Sequence, residues 1–240
     1  MRSTGATGHT DRDKKSEEVR CRITGTAFRL FLSRGYAETT IREISAESSV
    51  SSGSIYHFYG DKEGIFLQLS QQLFQLGLNS AERLLLPDDS PYHHLALRWA
   101  GIIHMFSGSE RIAEMMLVGY RSKKITDALM PIVCAHHRHL LGARLADWSD
   151  ERLATTMRLL HGALSSLLDE RLQQNALSEA QRIESLLGTF LPAFGADAAV
   201  TQAAIDKARL ALASKHDMLG ELLACWTQTQ AQTQHSPTSD

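Results

Sequence analysis

The chain has no proline from Met1 through Leu86, and no stretch combines β-branched enrichment with strict alternation of apolar and polar residues. A sheet has little to be built from. Apolar residues recur instead at spacings of three and four, the repeat that puts them on one face of a helix. Val19, Ile23, Ala27, Leu30 and Phe31 show it first. The pattern predicts an all-α protein.

Helix start and stop signals divide the chain. Residues 1–15 are polar and rich in Gly and Thr and read as an unstructured arm. A first helix is expected over 16–34, capped by Ser16 and stopped by Gly35. Thr39 or Thr40 can cap a short helix over 41–48, which buries Ile41 and Ile44, and a tight turn at Ser48, Ser49 and Val50 leads to a third helix over 52–58. Gly60 and Asp61 break the chain ahead of a long helix over 62–86. The run Pro87, Asp88, Asp89, Ser90, Pro91 is a boundary. Beyond it helices are expected over 92–106, 110–119, 125–148, 150–175, 178–194 and 198–225, with a fraying tail over 227–240. Domains follow at 16–66 and 67–226.

Composition narrows the class. The 240 residues are 43% hydrophobic, enough for a sizeable core, yet no apolar run approaches the ~18 residues that cross a bilayer. The polar start argues against an export signal and no membrane partner is expected. Cys21, Cys134 and Cys225 are odd in number and widely spaced, which fits neither a disulfide framework nor a zinc site; a reducing cytoplasm is the expected location. Net charge is −2, and the first 64 residues hold ten Lys/Arg against nine Asp/Glu. Any nucleic-acid binding therefore depends on where charges are placed rather than on their sum.

Residues 35–62, GYAETTIREISAESSVSSGSIYHFYGDK, carry the functional signal. Two short helices joined by a tight turn and braced by a preceding helix describe a helix-turn-helix, whose second helix enters the major groove of double-stranded DNA. The outward residues Ser51, Ser52, Ser54 and His57 are small or hydrogen-bonding, Tyr56 and Lys62 suit phosphates, and Thr40 and Arg42 stand at the positive start of the second helix. In order and spacing, Phe31, Gly35-Tyr36, Thr39-Thr40, Ile44, Val50-Ser51, Gly53, Tyr56, Tyr59 and Lys62 resemble the DNA-binding domain of the TetR family over residues 16–66. The resemblance implies DNA contacts from Thr40, Arg42, Ser51, Ser52, Ser54, Tyr56, His57 and Lys62. Two departures stand out. Ser48-Ser49 replaces the usual Ala-Gly, which strains the turn by about 1 kcal/mol if position 49 needs a positive φ. Gly64 falls early in a helix, where it weakens the first turn.

The resemblance also implies an organisation for the rest: a three-helix DNA-binding domain, then a larger helical domain that binds a ligand and dimerises. Trp99, Ile103, Phe106, Met116, Tyr120, Met130, His137 and Met157 are the large or soft side chains expected to line a cavity for a small, largely apolar effector. Leu160, Leu164, Leu167, Leu168, Leu187, Phe190 and Leu191 form stripes that suit a homodimer and equally an intrachain core. The expected function is a repressor released from a palindromic operator by that effector, with the long fourth helix as lever. An activator or a ligand-independent regulator has the same fold. A helical small-molecule-binding protein or metal-dependent enzyme built on the histidines is the reading from another class. His136 and His139 could share a metal and the adjacent His136 and His137 could not, since neighbours on a helix diverge by about 100°. No catalytic constellation, metal site or cofactor is expected.

Overall fold

The computed structural model describes residues 11–173 and 177–213. Among them the elements are all helical: α1 (Asp11–Arg34), α2 (Ile41–Ser48), α3 (Ser52–Tyr59), α4 (Lys62–Arg83), α5 (Pro91–Gly108), α6 (Glu110–Arg121), α7 (Lys123–Leu141), a single 3₁₀ turn (Gly142–Leu145), α8 (Asp150–Arg171), α9 (Glu179–Ala193) and α10 (Ala198–Ala213). No helix among the described residues is long and apolar enough to cross a membrane.

Two compact units meet in sequence between Ile65 and Phe66. The first holds α1–α3 and the opening residues of α4. Ile23, Ala27, Phe28, Leu30 and Phe31 of α1 are buried with Ile44, Val50 and Ile55. Burying roughly 1.5–3 kcal/mol worth of each large side chain is what holds such short helices, which are marginal alone. Arg29 and Arg34 of α1 pair with Glu47 and Glu43 of α2, each at 2.7 Å. These exposed pairs add little energy but fix the register of the two helices.

The second unit is organised around α5. Residues 94–101 are all buried, so this stretch of α5 is covered on every side, His94 and Arg98 included. It packs against α6, α8, α9 and α10. Tyr92, in the first turn of α5, donates its hydroxyl to the Phe194 carbonyl at 3.0 Å, tying the helix to the end of α9.

Several boundaries differ from the expected ones. α1 begins at Asp11, so residues 11–15 are helix rather than arm; an acidic residue near the positive helix end (Asp13) and two good helix formers (Lys14, Lys15) favour it. α4 stops at Arg83 instead of 86. Leu84 and Leu85 bond three residues back, and the Asp89 carboxylate takes the Leu86 N–H at 2.5 Å. α7 stops at Leu141 instead of 148, because Gly142 has φ +49° and donates its N–H to Arg138 O. α8 ends at Arg171, short of 175. The expected arm over 1–10, the continuation of α10 to 225 and the tail over 227–240 lie outside the described residues.

Both departures in the N-terminal unit have structural counterparts. Ser49 has φ 56° and ψ 32°, the left-handed conformation, and is the non-glycine residue with positive φ among those described. Gly64 is more than a weak helix former: a Cβ there would lie 2.0 Å from Tyr59 O. Gly64 N–H also donates to the Asp61 carboxylate at 2.6 Å, which caps α4. Two substitutions should therefore move stability in opposite directions in urea unfolding. Ser49→Gly should raise it by about 0.5–1 kcal/mol. Gly64→Ala should lower it by about 1–3 kcal/mol, despite alanine's better helix propensity.

Candidate nucleic-acid interface and apolar cavity

Hydroxyl caps set both short helices of the N-terminal unit. Thr40 starts α2 with a capping box: its hydroxyl oxygen accepts from Glu43 N–H at 3.2 Å, and the Glu43 carboxylate accepts from Thr40 N–H at 2.8 Å. That N–H and the Thr40 hydroxyl, with Arg34 adding to them, hold the Glu43 carboxyl below the usual range. Ser51 caps α3 by accepting from Ser54 N–H at 3.2 Å, and the two serine hydroxyls lie 2.9 Å apart. With Ile55 fully buried, α3 can turn only one way: Tyr56 is 54% exposed and His57 is exposed beside it. Ser52 and Ser54 are half-buried, and Thr40 and Arg42 are exposed.

Lys62 is placed differently from its neighbours. Its ammonium donates to the carbonyls of Tyr36 at 2.7 Å, Thr39 at 2.8 Å and Ala37 at 3.2 Å. A lysine has three N–H donors, and all three are engaged here. The same nitrogen sits 4.4 Å from the centre of the Tyr36 ring. Burial pushes its pKa down. Lys62 thus fastens the start of α4 to the loop that delivers Thr40. On the other side, the Tyr59 hydroxyl donates to Arg20 O at 3.3 Å, and the Arg20 guanidinium lies 4.7 Å from the centre of the Phe58 ring. Burial pushes Tyr59 up to about 12, so it stays a neutral donor.

The second unit holds a cavity of about 190 Å³. Phe66, Ser70 and Phe74 of α4 line it, with Trp99, Ile102 and Met105 of α5, Met116 and Tyr120 of α6, Met130 and His137 of α7, and Met157 and Leu160 of α8. Six of the residues expected at a cavity reach it: Trp99, Met116, Tyr120, Met130, His137 and Met157. Ile103 and Phe106 do not; both are fully buried in the core. The cavity stripe on α5 runs 98, 99, 102, 105, and positions 103 and 106 are rotated out of it. Arg98 is the lining residue that periodicity overlooked. Its one signal is a charge inside the apolar run 95–103.

His137 stacks on Trp99, ring centres 5.9 Å apart, and donates Nδ1–H to Val133 O at 2.8 Å. Its Nε2 is therefore the lone-pair nitrogen, and it has no hydrogen-bond partner among the described residues. His136 and His94 lie beside it, 5.5 Å apart between ring centres. Burial, then the Arg98 charge, pushes His137 down to about 3 and His136 to about 4. Among the described residues no group of three His, Cys, Asp or Glu is arranged to hold a metal ion.

Residues 23–69 match the family model described as bacterial regulatory proteins, tetR family. Residues 23–69 are thus a domain of the TetR type. The regulator HbdR of Aromatoleum sp. (strain CIB) is 46% identical over 61 residues, which are 25% of this chain and 27% of HbdR. The match thus spans about a quarter of that relative's length. Beyond the TetR domain, similarity is one of fold. RolR in complex with resorcinol superposes with a TM-score of 0.61 at 18% identity, over 80% of this chain and 95% of RolR. The TetR-family repressor FadR of Thermus thermophilus, in complex with lauroyl-CoA, gives 0.53 at 22%, over 72% and 93%.

The stripes expected at a dimer interface turn inward instead. Leu160, Leu164, Leu168, Leu187, Phe190 and Leu191 are buried within the single chain and Leu167 is half-buried. An apolar stripe says that a face is covered, not by which chain.

The buried His94 and His137 and the half-buried His136 give a dependence of stability on pH. Their ordinary value is 6.5, and His137 and His136 are far below it when folded, His94 also below. The unfolded chain therefore takes up protons first as pH falls. The stability they contribute is complete above pH 6.5 and is lost progressively towards pH 3. Each such histidine adds a slope of up to about 1.4 kcal/mol per pH unit. In urea unfolding at a series of pH values, His137→Leu should flatten the acid limb by about one proton's share.

Proposed function

We propose that this chain is a TetR-family transcriptional repressor that grips a palindromic operator as a twofold dimer and leaves it when a small, largely apolar molecule enters the cavity. The observation that carries the reading is the outward stance of α3 behind its buried Ile55, with Tyr56 and His57 exposed in front of two capped helix starts. In the major groove, Ser51, Ser52, Ser54 and His57 face base edges and Tyr56 a phosphate. Thr40 and Arg42 meet the backbone at the positive end of α2. Lys62 acts from behind: with its three N–H groups on carbonyls, it positions Thr40 rather than touching DNA.

One short helix reads too few base pairs to select a site, and a twofold pair presents two, about 34–36 Å apart or a multiple of that. The outward faces of α8 and α9 are the surfaces for pairing. Leu159 is 64% exposed there, and Gly162 and Gly188 have open space where a side chain would begin. The cavity supplies the response. Phe66, Ser70 and Phe74 belong to α4, the helix that begins at Lys62, so a guest that prefers one setting of α4 over another biases the DNA-binding form. A coupling of about 1–3 kcal/mol suffices. Resorcinol, the single-ring ligand held by RolR, is consistent with a cavity of this size, whereas the lauroyl-CoA held by FadR is far larger.

Two measurements test this. On the DNA that the protein selects from a random pool, Tyr56→Ala and Arg42→Ala should each weaken binding by about 1–3 kcal/mol, and Arg42→Ala should reduce the salt slope by about one. Lys62→Met should weaken binding and stability together and leave the slope in place. Unchanged affinity in both Tyr56→Ala and Arg42→Ala would sink the reading. In sedimentation, the full chain should run at twice its mass and Leu159→Asp should run as a monomer at micromolar concentration; a wild-type monomer on DNA removes the pairing.

A further inference from the structure

Arg98 lies in the middle of the helix that is buried on every side. It is 6% exposed and lines the cavity. It is the one lysine or arginine among the lining residues, and no aspartate or glutamate lies among them. Its Nη1 is buried and has no hydrogen-bond partner among the described residues. One face of the guanidinium is used: Cζ stands 3.9 Å from the centre of the Phe74 ring. Stacking of that kind engages the π face and leaves the N–H edge unengaged. It is also a smaller effect than the desolvation of an unpaired cation, so it does not balance the burial.

Nothing nearby neutralises the charge. Burial lowers Arg98 only to about 10, so it remains a cation. Tyr120, whose field acts on it, is pushed up to about 12 by burial and stays neutral. His136 and His137 are neutral bases whose values Arg98 itself depresses, which reports a positive potential in this part of the interior. The fold keeps one positive charge in a largely apolar chamber, with its Nη1 lacking a hydrogen-bond partner among the described residues.

We infer that the cavity takes a small amphipathic organic acid, its carboxylate received by the Arg98 edge and its hydrocarbon part lying among Phe66, Trp99, Met116 and Met130. The planar edge of a guanidinium matches the two oxygens of a carboxylate. A single cation matches a monoanion, whereas a phosphate dianion calls for further donors. Size sets the rest of the guest. A cavity of about 150 Å³ holds one benzene ring, so this one accommodates a ring with a short acid arm or a chain of about six to ten carbons. The inference rests on the cavity being the regulatory ligand site proposed above, and it gives that ligand a charge.

Calorimetry on the full chain without DNA tests it. The probes are hexanoate, phenylacetate and hydrocinnamate, each with its neutral partner: hexanol, phenethyl alcohol and hydrocinnamyl alcohol. At least one acid should bind, and should bind more tightly than its alcohol. Arg98→Met should weaken acid binding by roughly tenfold to a hundredfold and leave the alcohol unchanged. Arg98→Lys, which keeps the charge and loses the planar edge, should fall between them. Arg98→Met should also melt at a higher temperature than wild type in the absence of acid, since it removes a buried unpaired charge. Three results overturn the inference: no heat from any acid at millimolar concentration, alcohols binding as tightly as acids, or acid affinity unchanged in both variants. Affinity for the selected DNA, measured alongside, keeps the two questions apart. Acid binding by a protein that ignores DNA defeats the regulatory reading alone, and DNA binding with no acid binding defeats the carboxylate alone.

Discussion

The larger unit depends on one helix that meets no solvent along its middle. Because α5 is covered on every side by its neighbours, each residue from 94 to 101 has to be accommodated in the interior. Leu95, Ala96, Trp99 and Ala100 do this by packing. His94 and Arg98 do not, and their presence dictates what surrounds them. The Arg98 guanidinium stacks on Phe74, and His94 lies against His136. Polar groups left imperfectly matched in such a place destabilise the fold, and they persist where the site has a task that packing alone does not perform.

The smaller unit is built on a different principle. It buries large side chains of its own, Phe28, Phe31, Ile44 and Ile55 among them, but its two short helices are bounded by local polar chemistry at their ends. Thr40 and Glu43 close one start, Ser51 and Ser54 the other, and Asp61 closes the start of α4 against a glycine with no room for a Cβ. Lys62 then gathers three loop carbonyls on a single nitrogen. The surface offered outward is therefore held by hydrogen bonds from behind, which frees Tyr56 and His57 from any structural duty in front.

This contrast explains how much could be read from the sequence. The bounds of α2 and the start of α3 were legible because capping residues act on neighbours three positions away, within the chain's own grammar. The left-handed turn at Ser49 was legible on other grounds, from the glycine that usually stands there in the family this stretch resembles. The end of α7 was not: Gly142 sits in a run that keeps helical period on both sides, and only its backbone conformation shows the break. At the cavity, apolar size pointed to Trp99 and Met116, but the rotation of α5 separates Ile103 and Phe106 from it, and rotation depends on partners distant in sequence. Leu164 and Leu187 illustrate the same gap, since an apolar stripe carries no information on which chain covers it. Lys62 looked like a phosphate ligand because its three acceptors lie 23 to 26 residues away and are carbonyls, which have no side-chain signature.

The missing carboxylates around Arg98 matter as much as the arginine. With no acid in the wall, an amine or quaternary ammonium of suitable shape would bring a second like charge into a medium that screens poorly, next to histidines that already resist protonation. A lone cation in a wall without acids gives the cavity a sign as well as a contour: of two molecules of equal shape, the field favours the anion over the cation.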